Sequence, residues 1–469
     1  MKRSALFVWV LLLAALEGGS QQARPVPGAD ERYKVDILLV VAHPDDEGGA
    51  TPYLARAIYD EHKRVAVVFA TRGGSGGNDY SREHGPALAD MREQEARRAC
   101  AAMGITNVWF LDGKDTASQN VLNSLANWGH GANLESLVRI VRLTRPEVII
   151  SWLPGIFVGE NHGDHQASGV LATEAFDLAG DPVAFPAQVA GASKRLEPYL
   201  ENLTPWQPKK IYYFSDASDD KQFQGKGPAY SIREISPSQK MPYWRIALDA
   251  AKPHLTQFPA EIEHLSNLSD AQLAKLMDDP EHAWWSEPMT LIFGKAAAPT
   301  QPWDAIFPDV EPRQKEPAAT PHIATASATA KTEQPLSLAL GEPWSFYDQF
   351  RLAHKLTNLP QASSPEIAVK AGTVVAVPLI IARRPGSSRE ITLKVTAPNG
   401  WKITSGAGKF LLPDEETIYL RVELQSPDVP EKELKGRQPD SIVVSAQAGE
   451  KSIGEVELKV TLRSGALPQ

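Results

Sequence analysis

Between residues 33 and 179, short aliphatic runs alternate with longer amphipathic stretches. Residues 35–41 form an unbroken apolar run, the pattern of a parallel strand covered on both faces, and the run ends at Ala42-His43-Pro44. Residues 65–70 repeat the pattern and stop at Thr71-Arg72-Gly73-Gly74-Ser75-Gly76-Gly77. Residues 108–111 and 148–152 are predicted as the third and fourth strands. Helices are predicted between them: one opened by Pro52 and running to Asp60, one over 88–103 ended by Gly104, then 134–143 and 166–178. This alternation specifies an α/β domain with a doubly wound, mostly parallel, Rossmann-like sheet. Ligands of such sheets bind beyond the carboxyl ends of the strands, which is where the polar clusters of this chain fall.

Downstream the pattern changes. Residues 180–295 carry recurrent Pro, Trp and Tyr, with one further strand expected at 210–214. Residues 296–335 turn to Ala, Pro, Thr, Gln and Lys, the composition of a linker. Beyond it, 374–381, 390–395, 417–423, 441–446 and 455–462 are β-branched, partly alternating runs separated by turns such as Pro398-Asn399-Gly400. They predict a C-terminal all-β sandwich over 340–465. The α/β domain is then expected over 30–295. At the N-terminus, Lys2 and Arg3 precede an apolar run at 5–16, followed by small residues. That order predicts a signal peptide over 1–23, hence an exported protein, periplasmic or extracellular, with no stable membrane insertion after cleavage.

A chain of 469 residues exceeds one ordinary core, which agrees with two folded units. The net charge of −9 offers no basic surface for phosphates, so a nucleic-acid partner is not expected, while a neutral carbohydrate remains open. Cys100 is the single cysteine, so an internal disulfide is excluded. Its apolar helical neighbours predict a buried thiol rather than a nucleophile.

Candidate chemistry lies in two segments. His43-Pro44-Asp45-Asp46-Glu47 directly follows a buried strand. Imidazole and carboxylate together suit a divalent ion, and a catalytic zinc site keeps three protein ligands and one open position. Two adjacent aspartates cannot readily share one small ion from a single turn, so one is expected to ligate while the other faces water. Such a carboxylate could act as base toward a water whose pKa the ion lowers. The second segment, Asn161-His162-Gly163-Asp164-His165, follows the fourth strand and opens a helix. Histidines three apart there point to one side. The sheet topology brings both segments to one edge.

The run Val40-Val41-Ala42-His43-Pro44-Asp45-Asp46-Glu47 resembles the opening motif of the PIG-L/LmbE-like deacetylase family. The likeness continues through Thr71-Arg72-Gly73, Met91-Arg92-Glu93-Gln94-Glu95-Ala96, Phe110-Leu111-Asp112-Gly113-Lys114-Asp115, Arg145-Pro146-Glu147-Val148 and His162-Gly163-Asp164-His165, with weaker echoes at 206–210 and 254–257. The resemblance implies His43, Asp46 and His165 as metal ligands, zinc being the expected ion, and Asp45 as general base. It implies His162 as oxyanion donor or as acid toward the departing amine. It places Arg92 and Asp115 against sugar hydroxyls. The residues alone also allow Arg92 to be a surface charge paired with Glu93 or Glu95, and Asp115 to cap a loop. Gly74 departs from the acidic residue that many relatives carry, which predicts a looser loop. The stretch 395–401 resembles small sandwich domains appended to secreted glycosidases; Trp401 is expected either to stack on sugar or to be buried.

The expected function is a metal-dependent N-deacetylase acting on an N-acetylated sugar or glycoconjugate. The alternatives are a metallo-amidase on a non-sugar amide or thiol conjugate, and a glycan-binding protein without turnover.

Overall fold

The computed structural model describes residues 31–155, 162–191, 201–215, 227–278, 285, 287–299, 305–307, 336–359 and 365–464. The expected signal peptide at 1–23 lies outside them, as does most of the expected linker at 296–335.

Strand β1 (Ile37–Val41) is five aliphatic residues, all buried. It pairs in parallel with β2 (Val65–Thr71) on one side and β4 (Val148–Trp152) on the other. With β3 (Asn107–Gly113) and β5 (Lys210–Phe214) the parallel order is β3-β2-β1-β4-β5, and β6 (Ile292–Ala296) closes the far edge antiparallel to β5. Six helices matter to the core: α1 (Thr51–Tyr59), α2 (Pro86–Ala102), α3 (Val121–Trp128), α4 (His130–Thr144), α5 (Gly163–Leu178) and α6 (Tyr243–Ala251). Side chains alternate along a strand, so β1 feeds two cores. Leu38 and Val40 meet residues of α3, α4 and α5, whereas Ile37, Leu39 and Val41 meet residues of α1, α2 and α6. The strand order reverses direction between β1 and β4, which opens a crevice above their carboxyl ends.

Several elements of this domain escape the sequence pattern, α3, α6 and β6 among them. Helix α3 is short and amphipathic, opened by an Asn120 side chain that accepts from Leu122 N. Strand β6 contains Gly294, where an added Cβ would come 2.5 Å from the Tyr213 ring, so close packing rather than propensity selects the residue.

The C-terminal region is built of β7 (Leu336–Leu340), α7 (Trp344–Ala353), β8 (Glu366–Lys370), β9 (Val374–Arg383), β10 (Glu390–Thr396), β11 (Lys402–Ser405), β12 (Gly408–Leu411), β13 (Thr417–Gln425), β14 (Asp440–Ala448) and β15 (Lys451–Arg463). Sheets ordered β8-β15-β14-β10-β12 and β11-β13-β9-β7 enclose an apolar core. Five of the nine strands fall where alternation predicts them; β7, β8, β11 and β12 are short, and all of β11 is exposed. Strand β7 begins at Leu336, before the expected boundary at 340. The segment after it divides: Trp344 packs in the sandwich core, whereas Tyr347, Phe350, Leu356 and Leu359 pack into the α/β core. Trp401 is half-buried against the sandwich core and donates from Nε1 to Asp440 Oδ2 at 2.9 Å. No helix of the described residues is long and apolar enough to cross a membrane.

Candidate active site

Ala42 ends the buried run of β1, and the chain turns sharply into His43-Pro44-Asp45-Asp46. Asp45 sits at φ 125° and ψ −26°, a conformation that favours glycine and costs a non-glycine residue about 1–3 kcal/mol. Neighbouring groups hold it there. Asp45 N donates to Glu47 Oε2 at 3.0 Å, Glu47 Oε1 accepts from His254 Nε2 at 2.6 Å, and Gln257 Nε2 donates to Pro44 O. His254 and Gln257 belong to the weak echo at 254–257, to which the sequence reading assigns no role.

Asp46 is almost fully enclosed. Its Oδ2 accepts from Ala42 N (2.9 Å), His43 N (2.8 Å) and Trp152 Nε1 (2.9 Å), while Oδ1 lies 3.2 Å from His165 Nε2. Trp152, the last residue of β4, stacks on His165 with ring centroids 4.1 Å apart. On the other flank His162 stacks on His43 at 4.8 Å. The two motifs therefore meet at the β1/β4 crevice.

Asp164 is the functional candidate that sequence reasoning passed over. It is completely buried, accepts from Thr116 N (2.8 Å) and Thr116 Oγ1 (3.2 Å), and takes a hydrogen bond from His43 Nε2 at 3.1 Å. A carboxylate behind an imidazole fixes the ring and its tautomer, as in supporting shells of metal sites. Its position between two histidines was the available signal.

The electrostatics favour positive charge among these groups. Burial opposes ionisation of His43, yet Asp46 and Asp164 outweigh it and push the ring up to about 10. Burial also opposes ionisation of Asp46, but His165 and His43 hold its carboxyl well below the usual range. Asp45 is pushed up to about 7, first by burial and then by the neighbouring Asp46 charge. His162 is driven down to about 4 by burial and by the other two imidazoles, so it is neutral near pH 7. Its Nε2 lies 2.7 Å from Thr116 O. A carbonyl only accepts, so Nε2 carries the hydrogen and Nδ1 offers a lone pair. In that state His162 can ligate or take a proton; the donor role implied by the resemblance needs protonation first.

Among the described residues, His43, His162 and His165 each offer an atom within 4.8 Å of the others, a group able to hold a metal. Asp46 Oδ1 borders the same space through His165. Imidazole nitrogens and one carboxylate oxygen are a donor set that suits zinc and similar ions.

Arg92 and Asp115 stand one step away. Arg92 is neither at the surface nor paired with Glu93 or Glu95: it is 6% exposed and donates to Gly73 O (2.8 Å) and Gly77 O (2.6 Å). Glu95 instead accepts from Thr256 Oγ1 at 2.6 Å. Asp115 Oδ2 accepts from Ser75 N at 2.7 Å. The two residues thus clamp the glycine-rich loop from opposite sides. A Cβ at Gly76 would meet Arg92 at 2.2 Å, so the close approach needs glycine. Gly74 does not loosen this loop as expected. Its carbonyl accepts from Gly85 N at 3.0 Å, and a Cβ there would meet Gly85 O at 2.8 Å, which leaves no room for an acidic side chain. Cys100 is buried, and burial pushes its thiol well above the ordinary value.

Residues 38–176 match the family model for the GlcNAc-PI de-N-acetylase, PIG-L. The chain thus carries a PIG-L domain over those residues. A 1D-myo-inositol 2-acetamido-2-deoxy-alpha-D-glucopyranoside deacetylase of Frankia alni is 33% identical over 188 residues, 36% of this chain and 59% of the relative. The enzyme of that name from Thermobifida fusca is 26% identical over 255 residues, 47% of this chain and 82% of the relative. The chain thus spans little more than half of the first relative's length. Among solved structures, the N,N'-diacetylchitobiose deacetylase of Pyrococcus horikoshii aligns with 55% of this chain and 84% of its own, at 20% identity and a TM-score of 0.37. The PIG-L match covers both histidine-bearing segments and stops within α5, so the sandwich lies wholly outside it.

Proposed function

We propose that the PIG-L domain is a metal-dependent de-N-acylase that removes the acetyl group from an N-acetylated amino sugar or glycoconjugate, and that the protein works after export. The observation that carries this reading is the meeting of His43, His165, Asp46 and a strained, enclosed Asp45 at the β1/β4 crevice. The sugar preference rests on the relatives, whose names specify deacetylation of a 2-acetamido sugar. Export rests on the charged and apolar start of the chain alone.

His43, Asp46 and His165 would hold the ion, zinc being the expected one. When bound, it would supply Lewis-acid polarisation of the acyl oxygen and acidification of water. The protein's own groups handle the protons. Asp45 accepts the proton of the attacking water, whose oxygen bonds to the acyl carbon. The carbon–nitrogen bond then breaks and the proton on Asp45 passes to the amine, giving a carboxylic acid and a free amine. A carboxyl poised near 7 is suited to both transfers. Asp164 keeps His43 oriented throughout.

A second assignment of ligands is favoured by one observation: the three imidazoles form a group of candidate donors within 4.8 Å of one another, so His162 rather than Asp46 would complete the set. Acetate release from N-acetylglucosamine conjugates by zinc-loaded protein tests the main reading. Zinc content without turnover across sugar and non-sugar amides would overturn it in favour of a binding protein.

A further inference from the structure

A cavity of about 410 Å³ borders the catalytic groups. It is lined by Asp45, Asp46, Trp152 and His165 and by the apolar side chains of Leu54, Ala99, Met103 and Ile105, with Cys100 among them. Neither His43 nor His162 borders it. Helix α2 runs down from the sheet edge that carries the site, so Ala99 to Met103 lie roughly 10–16 Å further along its axis than Arg92, at ~1.5 Å per residue. The cavity enters the apolar layer shared by α1, α2 and α6. Its wall also carries Thr51, Glu261, Glu47 and His254, the last two bonded to each other.

An acetyl methyl needs about one water-sized share, ~30 Å³. Most of the volume lies beyond it. Against Leu54, Ala99, Met103 and Ile105 an alkyl group fits better than a sugar, whose hydroxyls would lose water without gaining partners on that wall. An amide has only two sides. If the amine side is the sugar, as in the reading above on which this step rests, the apolar side is the acyl group.

We infer that this cavity binds the acyl chain of the substrate, and that the enzyme accepts N-acyl amino sugars with linear aliphatic chains longer than acetyl. A chain of about eight carbons, at ~30 Å³ per group, fits the volume. The reaction balances as before: water adds its oxygen to the acyl carbon, the carbon–nitrogen bond breaks, and the proton goes to the amine, releasing a fatty acid. Gly48 supplies a way to fill the space. It lines the cavity, its backbone is not in the left-handed region, and a Cβ there would meet nothing within 4 Å.

The test has two arms on the zinc-loaded full chain. In the first, kcat/KM is measured for N-acetyl, N-butanoyl, N-hexanoyl and N-octanoyl glucosamine. The expected result is a rise with length, by up to about fourfold per buried methylene. Gly48→Leu should erase that rise, at least tenfold for octanoyl, and leave acetyl turnover within about twofold. In the second arm, no variant is needed: inhibition of N-acetylglucosamine turnover by octanoate is compared with inhibition by acetate. Octanoate should inhibit at least about tenfold more strongly than acetate. Acetyl turnover combined with falling rates for longer chains and equal inhibition by the two acids overturns the inference and spares the deacetylase reading. Failure to cleave any N-acyl glucosamine overturns the deacetylase reading, and this inference with it.

Discussion

The α/β domain and the sandwich treat buried polar groups in opposite ways. In the α/β domain Asp46, Glu47, Arg92, Glu95, Asp164 and His254 are all buried, and their bonds link the edge above β1 and β4 to the neighbouring loops. The sandwich encloses an apolar core, and its buried charges are few: Arg383 pairs with Asp414, and Asp440 with Arg437. Burying charge is expensive unless partners and hydrogen bonds compensate. One edge that gathers so many such groups is organised for chemistry, whereas isolated pairs in the sandwich are explained by stability alone. The sandwich nevertheless reaches the site. Gln119 Nε2 donates to Ala368 O at 2.6 Å, and Ala368 N donates to Gln119 Oε1 at 3.0 Å. Gln119 lies on the loop whose Thr116 supports His162 and Asp164.

The largest expected effect tests the catalytic side of this contrast. Asp45→Asn should lower turnover by about 10²–10⁴-fold while zinc content stays near that of the parent. Zinc analysis beside acetate-release kinetics checks both halves; loss of metal in this variant would move Asp45 into the ligand set. Next in size is the ligand assignment. Asp46→Ala should weaken zinc binding by more than the ~10–100-fold typical of supporting groups, and His162→Ala should leave it largely intact. The opposite outcome, read by competition with a zinc chelator, would establish the three-imidazole set.

How far these features were legible depends on the length scale of the cause. The strands β1, β2 and β4 are continuous aliphatic runs, and both site motifs directly follow such runs, so sheet, edge and candidate ligands could be read locally. Asp164 could be seen but not interpreted, because its partner Thr116 is 48 residues away. The bonding of Arg92 to the glycine loop is likewise a product of tertiary packing; the sequence pattern allowed only a sugar contact or a surface ion pair. Tyr347, Phe350, Leu356 and Leu359 follow a sandwich strand in sequence yet pack on the other domain, a choice that composition does not encode.

A smaller effect is expected at the bridge between the two regions. Gln119→Ala removes two hydrogen bonds at the sandwich edge, each worth about 0.5–1.5 kcal/mol. If the sandwich steadies the catalytic loop, kcat should fall several-fold with KM and zinc content nearly unchanged, and Gln119→Asn should not restore it, being one methylene too short. A change confined to the melting temperature would reduce the contact to a stabilising one.

The last and smallest effect concerns the second junction, where pH can separate the regions. Asp177 on α5 accepts from Lys295 Nζ at 2.6 Å and lies 2.7 Å from His354 Nδ1, just past α7. Burial opposes its ionisation, but the bond from His354 and the Lys295 charge hold the carboxyl below its ordinary value. A depressed folded-state pKa means that the contribution is fully present above the unfolded value, about 3.9, and fades as pH falls through the folded value. The parent should therefore be more stable than Asp177→Asn near neutral pH, and the gap should close on acidification. Unfolding midpoints of both proteins from about pH 6 to pH 3 follow that gap across the carboxylate range. A constant offset over the whole range would show that Asp177 acts through shape rather than charge, and that the α7 segment is held by Tyr347, Phe350, Leu356 and Leu359 alone.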